Sequence, residues 1–367
     1  IDGLATLLGQ GGVSAVELLN SYIQAIQSED RNYNAIAFLN PDAKKIALEL
    51  DNERKNGFVR GPLHGIPILL KDNIDTADKM ITSAGSIALN GNIAQKDAHL
   101  VNRLRGAGAI VLGKTNLSEW ANFRSTKSVS GWSSINGQTT HNLDSKYNPC
   151  GSSSGSAVAV ASGIVEVAIG TETNGSITCP ASVTGIVGMK PTVGLVSRTG
   201  IIPIAESQDT AGPMGNTVEI VAKTLEAIAG PDPHDASTNN IPSYFNYNFL
   251  EFTQNQNLHG VRLGLLDSGF NNKYGKIFLK KLINDVKKLG GEIVLIAPRK
   301  IELPGFLSIL NLEMRDELPK YLKNHADKKV KISNVKEIIS FNNLEPNLRA
   351  PYGQLRFVNI GKDLTQQ

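Results

Sequence analysis

Three stretches of this chain combine residue types that covalent chemistry requires. The first is Leu69-Leu70-Lys71-Asp72-Asn73, a lysine closing a short apolar run. A lysine there is ordinarily a salt-bridged structural cation, with Asp72 or Asp75 as its partner. It is also a candidate base, because burial disfavours the ammonium and lowers its pKa. Bringing a lysine from ~10.4 to about 7 takes ~4.6 kcal/mol in favour of the neutral form, which needs a dry, charge-poor site. The second stretch is the serine cluster Gly151-Ser152-Ser153-Ser154-Gly155-Ser156, which helix capping alone would explain. The third runs from Gly170 to Pro180 and contains Asn174-Gly175-Ser176. A plain turn accounts for it. Alternatively, Gly175 lets the chain turn so that consecutive amides converge on one point beside Ser176, as an oxyanion site requires.

Other motifs match patterns without the right context. Gly108 to Thr115 satisfies the phosphate-loop pattern G-x-x-x-x-G-K-[ST]. A phosphate cradle needs an open glycine-rich loop after a strand, whereas four apolar residues fill this one and a helix is expected before it. Gly151 to Gly155 matches the nucleophile elbow G-x-S-x-G, which would make Ser153 the nucleophile of an α/β-hydrolase. The preceding Asp144 to Pro149 stretch is no strand, and His234, His259 and His325 read as surface histidines rather than bases. His64, His99 and His141 are far apart, and Cys150 and Cys179 lack metal-ligand spacing. No metal or cofactor is expected, and both cysteines read as buried small apolar residues.

The elements that must position these groups are legible in outline. Ser14 and Glu17 form a capping box ahead of an apolar stripe of Val16, Leu19, Ile23 and Ile26. A second helix is expected from Pro41 to about Asn56. Gly65 to Leu70 reads as a buried strand, Asp97 as the cap of a helix ended by Gly106 and Gly108, and Ala109 to Leu112 as another strand. Asn116 to Ser118 is expected to open a helix containing Trp120. From Gly151 to Gly215 small residues dominate and charges are sparse, yet apolar runs persist, so this is packed core and not a tether. Residues 231–257 read as a connecting loop. Val261 to Leu266, Tyr274 to Leu289 and Ile293 to Ile296 then read as a strand–helix–strand succession, with a solvated lysine face on the helix.

Composition narrows the classes. The chain has 367 residues and a net charge of +3, which does not suggest a nucleic-acid partner. No apolar run reaches the ~18–20 residues of a membrane span, and two cysteines cannot form a disulfide scaffold. Glycine, at 35 residues, exceeds the usual ~7% and fits tight loops around an enzyme core. A cytoplasmic location is expected; because the chain begins at Ile1, a periplasmic or exported one is the alternative.

Taken together, Gly61 to Asp75, Asp97 to Asn116, Cys150 to Ala157, Gly170 to Thr192 and Ser207 to Met214 resemble the amidase signature family, in order and in content. The likeness is dense over residues 1–230. It implies an α/β fold, a mixed β-sheet core flanked by helices on both sides, as a single domain over residues 1–367. The catalytic core would span about 60–215, and an incomplete α/β extension about 258–367. By position Ser176 resembles the nucleophile, Ser152 the bridging serine and Lys71 the base. The peptide bond before Ser152 is expected to be cis, the backbone amides of Thr173, Asn174, Gly175 and Ser176 to hold the oxyanion, and Ser153, Thr171 and Asp209 to support them. The form Glu172-Thr173-Asn174-Gly175-Ser176-Ile177-Thr178-Cys179-Pro180 is similar to the peptide amidase branch, which cleaves C-terminal peptide amides. It departs from the wider family in placing Asn174 at a glycine position and Thr178 at an arginine position. Asn174 fits if its φ is negative or suits asparagine; losing the arginine removes a structural ion pair. The implied function is cofactor-free hydrolysis of a small-molecule or peptide carboxamide to acid and ammonia. The alternatives are a general aryl or aliphatic amidase and the A-type subunit of a tRNA-dependent amidotransferase, ahead of the Ser153 hydrolase.

Overall fold

The computed structural model describes residues 2–254, 257–266, 270, 272–297 and 302–362. The chain forms two compact units, one of residues 1–247 with 307–367 and one of residues 248–306.

The larger unit is built on one mixed sheet. Its strands are β1 (Ile36–Leu39), β2 (Pro67–Lys71), β3 (Ile110–Thr115), β4 (Val167–Glu172), β5 (Val187–Gly188) and β6 (Thr210–Gly215). Their spatial order is β1-β3-β2-β4-β6-β5. The central β3, β2 and β4 run parallel, and the outer pairs are antiparallel. Every residue of β2, β3, β4 and β6 is buried, as expected of strands covered by helices on a parallel core. The flanking helices include Ala15–Glu29, whose capping box forms as expected, and Ala43–Lys55. The helix Ser154–Ala161, made of small and β-branched residues, is buried along nearly its whole length. Small side chains let it lie close to the sheet: a Cβ on Gly155 would overlap the carbonyl oxygens of Ala35 and Asn116.

Two local expectations are corrected. Asp97 does not cap the helix His99–Gly106; its carboxylate accepts the Ala77 amide and pairs with Arg105 instead. Trp120 lies not in an α-helix but in a short turn, Glu119–Asn122, where Trp120, Ala121 and Asn122 take φ of 51°, 51° and 66°. Left-handed backbone is costly for non-glycine residues. A buried Arg124–Glu119 ion pair at 3.2 Å and the Trp120 amide on Ala84 O, 2.9 Å, hold it.

The smaller unit is the expected β-α-β succession. β7 (Arg262–Leu266) and β8 (Glu292–Ile296) pair in parallel, joined by the helix Lys273–Lys288. Its lysines are mostly solvated, and only Val286 of that helix is buried. Among the described residues, no helix is long and apolar enough to cross a membrane.

Candidate active site

The site sits where three chain segments of the larger unit meet. β2 delivers Lys71 at its C-terminal end, with 0% of the side chain exposed. Among the described residues Lys71 has no carboxylate at contact distance. Its Nζ donates to Ser152 Oγ at 2.8 Å, Thr171 Oγ1 at 2.8 Å and Thr171 O at 3.1 Å. Burial lowers its pKa to about 7, with Asp209 and Glu172 acting in the opposite sense. The candidate partners Asp72 and Asp75 turn elsewhere: Asp72 accepts from the Ser83 amide and hydroxyl, and Asp75 from Tyr321.

The second segment is the turn before the helix Ser154–Ala161. The Gly151–Ser152 peptide bond is cis. A Cβ on Gly151 would overlap Ser118 Oγ, so glycine is needed there by space. Ser152 is fully buried, and its carbonyl accepts the Ser118 amide at 3.1 Å. Ser153, the elbow candidate, is spent on structure: its hydroxyl donates to Thr171 O and accepts the Thr171 amide, at 3.1 and 3.2 Å. No strand precedes it. Ser154 Oγ donates to Cys150 O at 2.6 Å, closing the turn.

The third segment runs from the end of β4 into the helix Thr178–Thr184. Ser176 is 8% exposed, and its carbonyl accepts the Ser153 amide at 3.1 Å, which ties the two serine turns together. Its hydroxyl makes no hydrogen bond among the described residues; catalytic contacts often tighten only with substrate bound. Gly175 has φ 84° with open space around it, so backbone conformation is what requires glycine. Asn174 is not among the residues with positive φ, which meets the condition set for it. Thr173 Oγ1 donates to Asp209 Oδ1 at 2.5 Å, and Asp209 Oδ2 accepts the Ile204 and Ala205 amides. Burial raises the Asp209 pKa against those hydrogen bonds.

Three contributors escaped the sequence reading. Glu172 folds the nucleophile turn around its carboxylate, accepting the amides of Gly175 (2.7 Å), Ile177 (2.7 Å) and Thr178 (2.9 Å), and the Thr178 hydroxyl. The Thr178 hydroxyl thereby closes the same turn. The Gly175 amide, one of the four expected to hold an oxyanion, is engaged by the Glu172 carboxylate. Asn73 donates to Thr171 Oγ1 at 2.9 Å and orients the hydroxyl that Lys71 contacts. Finally, Cys150 and Cys179 are not buried apolar residues: both are half-buried and joined in a disulfide with Cα atoms 5.9 Å apart. Their positions offered a signal, since each flanks one of the two serines.

The remaining motifs do structural work. Lys114 of the phosphate-loop pattern is fully buried in β3 and donates to Ile74 O and Thr82 Oγ1. His64 and His141 each bond a backbone carbonyl through Nε2. His234 and His259 are exposed, while His325 is half-buried, stacked on Tyr321, with Nδ1 3.6 Å from Asp75. Among the described residues no group of three or more His, Cys, Asp or Glu side chains could hold a metal. A cavity of about 930 Å³ has Asn73, Ala121, Thr171, Thr173, Arg198 and Asp209 among its walls.

Known proteins share this fold. The amidase family model matches residues 17–355. The native peptide amidase of Stenotrophomonas maltophilia superposes with a TM-score of 0.90 at 44% identity, covering 97% of this chain and 74% of that one. An amidase family protein from Bacillus anthracis gives 0.92 at 35% identity, covering 99% and 72%. The A-type subunit of glutamyl-tRNA(Gln) amidotransferase from Symbiobacterium thermophilum is 44% identical over 258 residues, 70% of this chain and 51% of its own. The chain spans about half the length of the curated relatives it matches.

Proposed function

The chain belongs to the amidase family, and from that membership we propose that it hydrolyses a carboxamide to a carboxylate and ammonia through Ser176, Ser152 and Lys71. Neutral Lys71 accepts the Ser152 hydroxyl proton while Ser152 takes the proton of Ser176, whose oxygen attacks the amide carbon. The carbonyl oxygen then carries the negative charge, for which the amides of Thr173, Asn174 and Ser176 are the donors. Collapse of the tetrahedral adduct breaks the C–N bond. The proton held by Lys71 returns through Ser152 to the leaving nitrogen, and ammonia departs. Water adds to the acyl-enzyme by the same relay in reverse and frees the acid. No cofactor takes part in any of these steps.

One observation carries this reading: an uncharged-leaning amine, shut off from solvent, lies 2.8 Å from a serine hydroxyl and has no carboxylate in contact. Its partners are the Ser152 and Thr171 hydroxyls and the Thr171 carbonyl. C-terminally amidated peptides are the substrates we favour. The likeness to a solved peptide amidase supports them. The resemblance to A-type amidotransferase subunits supports a second reading, in which activity would require partner chains, ATP and a glutamine donor. The half-exposed cystine favours an exported setting over the cytoplasm.

Ammonia release from a panel of peptide amides, aryl amides and aliphatic amides tests the proposal. The isolated chain is expected to turn over peptide amides without ATP, and Ser176→Ala to lose ~10⁴-fold or more. Retained turnover in that variant would overturn the assignment.

A further inference from the structure

The only two cysteines of the chain bracket its two candidate catalytic serines. Cys150 lies two residues before Ser152, and Cys179 three residues after Ser176; the disulfide between them joins the two serine turns. Each half-cystine is also wired into its own turn. Cys150 O accepts the Ser154 hydroxyl at 2.6 Å, and the Cys179 amide donates to Gly175 O at 2.8 Å. Cys150 itself takes a left-handed φ of 54°, unusual for a non-glycine residue. Without the bond, one backbone hydrogen bond, Ser153 N to Ser176 O, directly joins the serine cluster to Ser176.

We propose that the Cys150–Cys179 disulfide is a positioning device for catalysis: it sets the approach of Ser176 to Ser152, so that turnover depends on the oxidation state of this one bond. The proposal rests on the Ser176–Ser152–Lys71 reading. The cystine touches neither substrate nor the reacting atoms and acts through the turns it joins. Both half-cystines are half-buried residues, and titration counts the thiols that a small reductant frees. A dithiol supplies the two electrons. Its thiolate attacks one sulfur, the Sγ–Sγ bond breaks, its second thiol displaces the mixed disulfide, and two protein thiols and a cyclic disulfide result. With the covalent tie cut, the Ser153 amide on Ser176 O and the Ser153 hydroxyl on Thr171 hold the turns more loosely, and displacements of about 1 Å cost up to ~10²-fold in rate. The neighbouring cavity has neither cysteine in its walls, so its shape is left intact.

The test uses the full chain, titrated with dithiothreitol under native conditions. Free thiols are counted, and kcat and KM for a C-terminal peptide amide are measured at each point. Appearance of two thiols per chain is expected to lower kcat by about 10- to 10²-fold with KM within about twofold. Reoxidation with oxidised glutathione is expected to restore it. Cys150→Ala/Cys179→Ala should match the reduced protein and ignore reductant; should it fail to fold, the reduction and reoxidation cycle decides by itself. Two free thiols with unchanged kcat would overturn the proposal, and so would a loss of thermal stability alone with kcat preserved at the assay temperature. These results differ from a failure of the underlying reading, which would show as turnover persisting in oxidised Ser176→Ala.

Discussion

Two lysines stand side by side in the centre of the sheet and do opposite things. Lys71 ends β2 and Lys114 lies in β3, where the register sets Leu70 against Lys114 and Lys71 against Thr115. Both are fully buried, and burial lowers the pKa of both. Their surroundings differ. Lys114 donates to Ile74 O and Thr82 Oγ1, and the charges of Asp72 and Asp75 favour its ammonium. Lys71 faces Ser152 and Thr171, with Asp209 and Glu172 acting only from farther off. Neither nitrogen has a carboxylate at contact distance among the described residues; what sets Lys71 apart is that one of its hydroxyl partners is Ser152, in the turn that the Ser153 amide ties to Ser176. The same residue type at the same depth acquires its role from what its nitrogen touches.

The sharpest way to break that contrast is to replace each nitrogen by a methionine of similar length. Lys71→Met is expected to lower kcat/KM by ~10⁴-fold or more while leaving the folded chain at least as stable, because a group that resists charging is removed. Chemical denaturation and ammonia release measured on the same preparation check both halves. Lys114→Met should show the reverse: a loss of about 3–5 kcal/mol in stability, since Asp72 and Asp75 lose their buried counter-charge, with kcat largely kept in the folded fraction. Equal effects of the two substitutions on rate and stability would erase the distinction.

A smaller effect is expected one step out from the reacting atoms. Glu172→Gln keeps one acceptor oxygen but turns an NH2 group towards amides that were donating to a carboxylate. A fall of about 10²-fold in kcat with little change in KM is expected. Steady-state kinetics on the variant, alongside its thermal midpoint, would separate a misplaced Ser176 from an unfolded turn.

The mildest intervention is pH. The base acts as the neutral amine, so kcat/KM should rise with pH through a midpoint of about 7. The linked stability change has the same direction. A folded-state pKa below the unfolded value of ~10.4 means that the unfolded chain holds the extra proton between those limits, so this group's contribution rises with pH from about 7 to ~10.4 and is flat below. A rate profile with its midpoint near ~10.4 would assign the ionisation to an ordinary exposed lysine.

What was legible in the sequence follows the range of the interactions involved. Lys71 at the end of an apolar run, the capping box of Ser14 and Glu17, and the φ that Gly175 supplies are written in a few adjacent residues. The local pattern was therefore enough. The partner of Lys71 was not in its local pattern and came only from the family resemblance, which named Ser152: Asp72 and Asp75 are neighbours in sequence, yet Ser83 and Tyr321 claim them in the fold. The cystine was missed for the same reason, because 29 residues of chain separate sulfurs that the sheet brings together. Closing a loop of that length corresponds to about 3–4 kcal/mol of chain entropy removed from the unfolded state, none of it visible in either cysteine's local context. The turn at Trp120 reads as a helix start in sequence. The Glu119–Arg124 ion pair, the Trp120 amide on Ala84 and a Phe357 ring 5.6 Å from Trp120 hold it in a conformation that local preference would not choose.

The central claim is that one fully enclosed amine gives up its proton at about pH 7 and not near ~10.4. Nitrogen NMR of ¹⁵N-lysine-labelled protein, with the Lys71 Nζ signal identified by its absence in Lys71→Met, reads that charge directly. The account predicts a change from ammonium to neutral amine centred on about pH 7, with exposed lysines changing near ~10.4. A Lys71 signal that stays ammonium up to about pH 10 would contradict it.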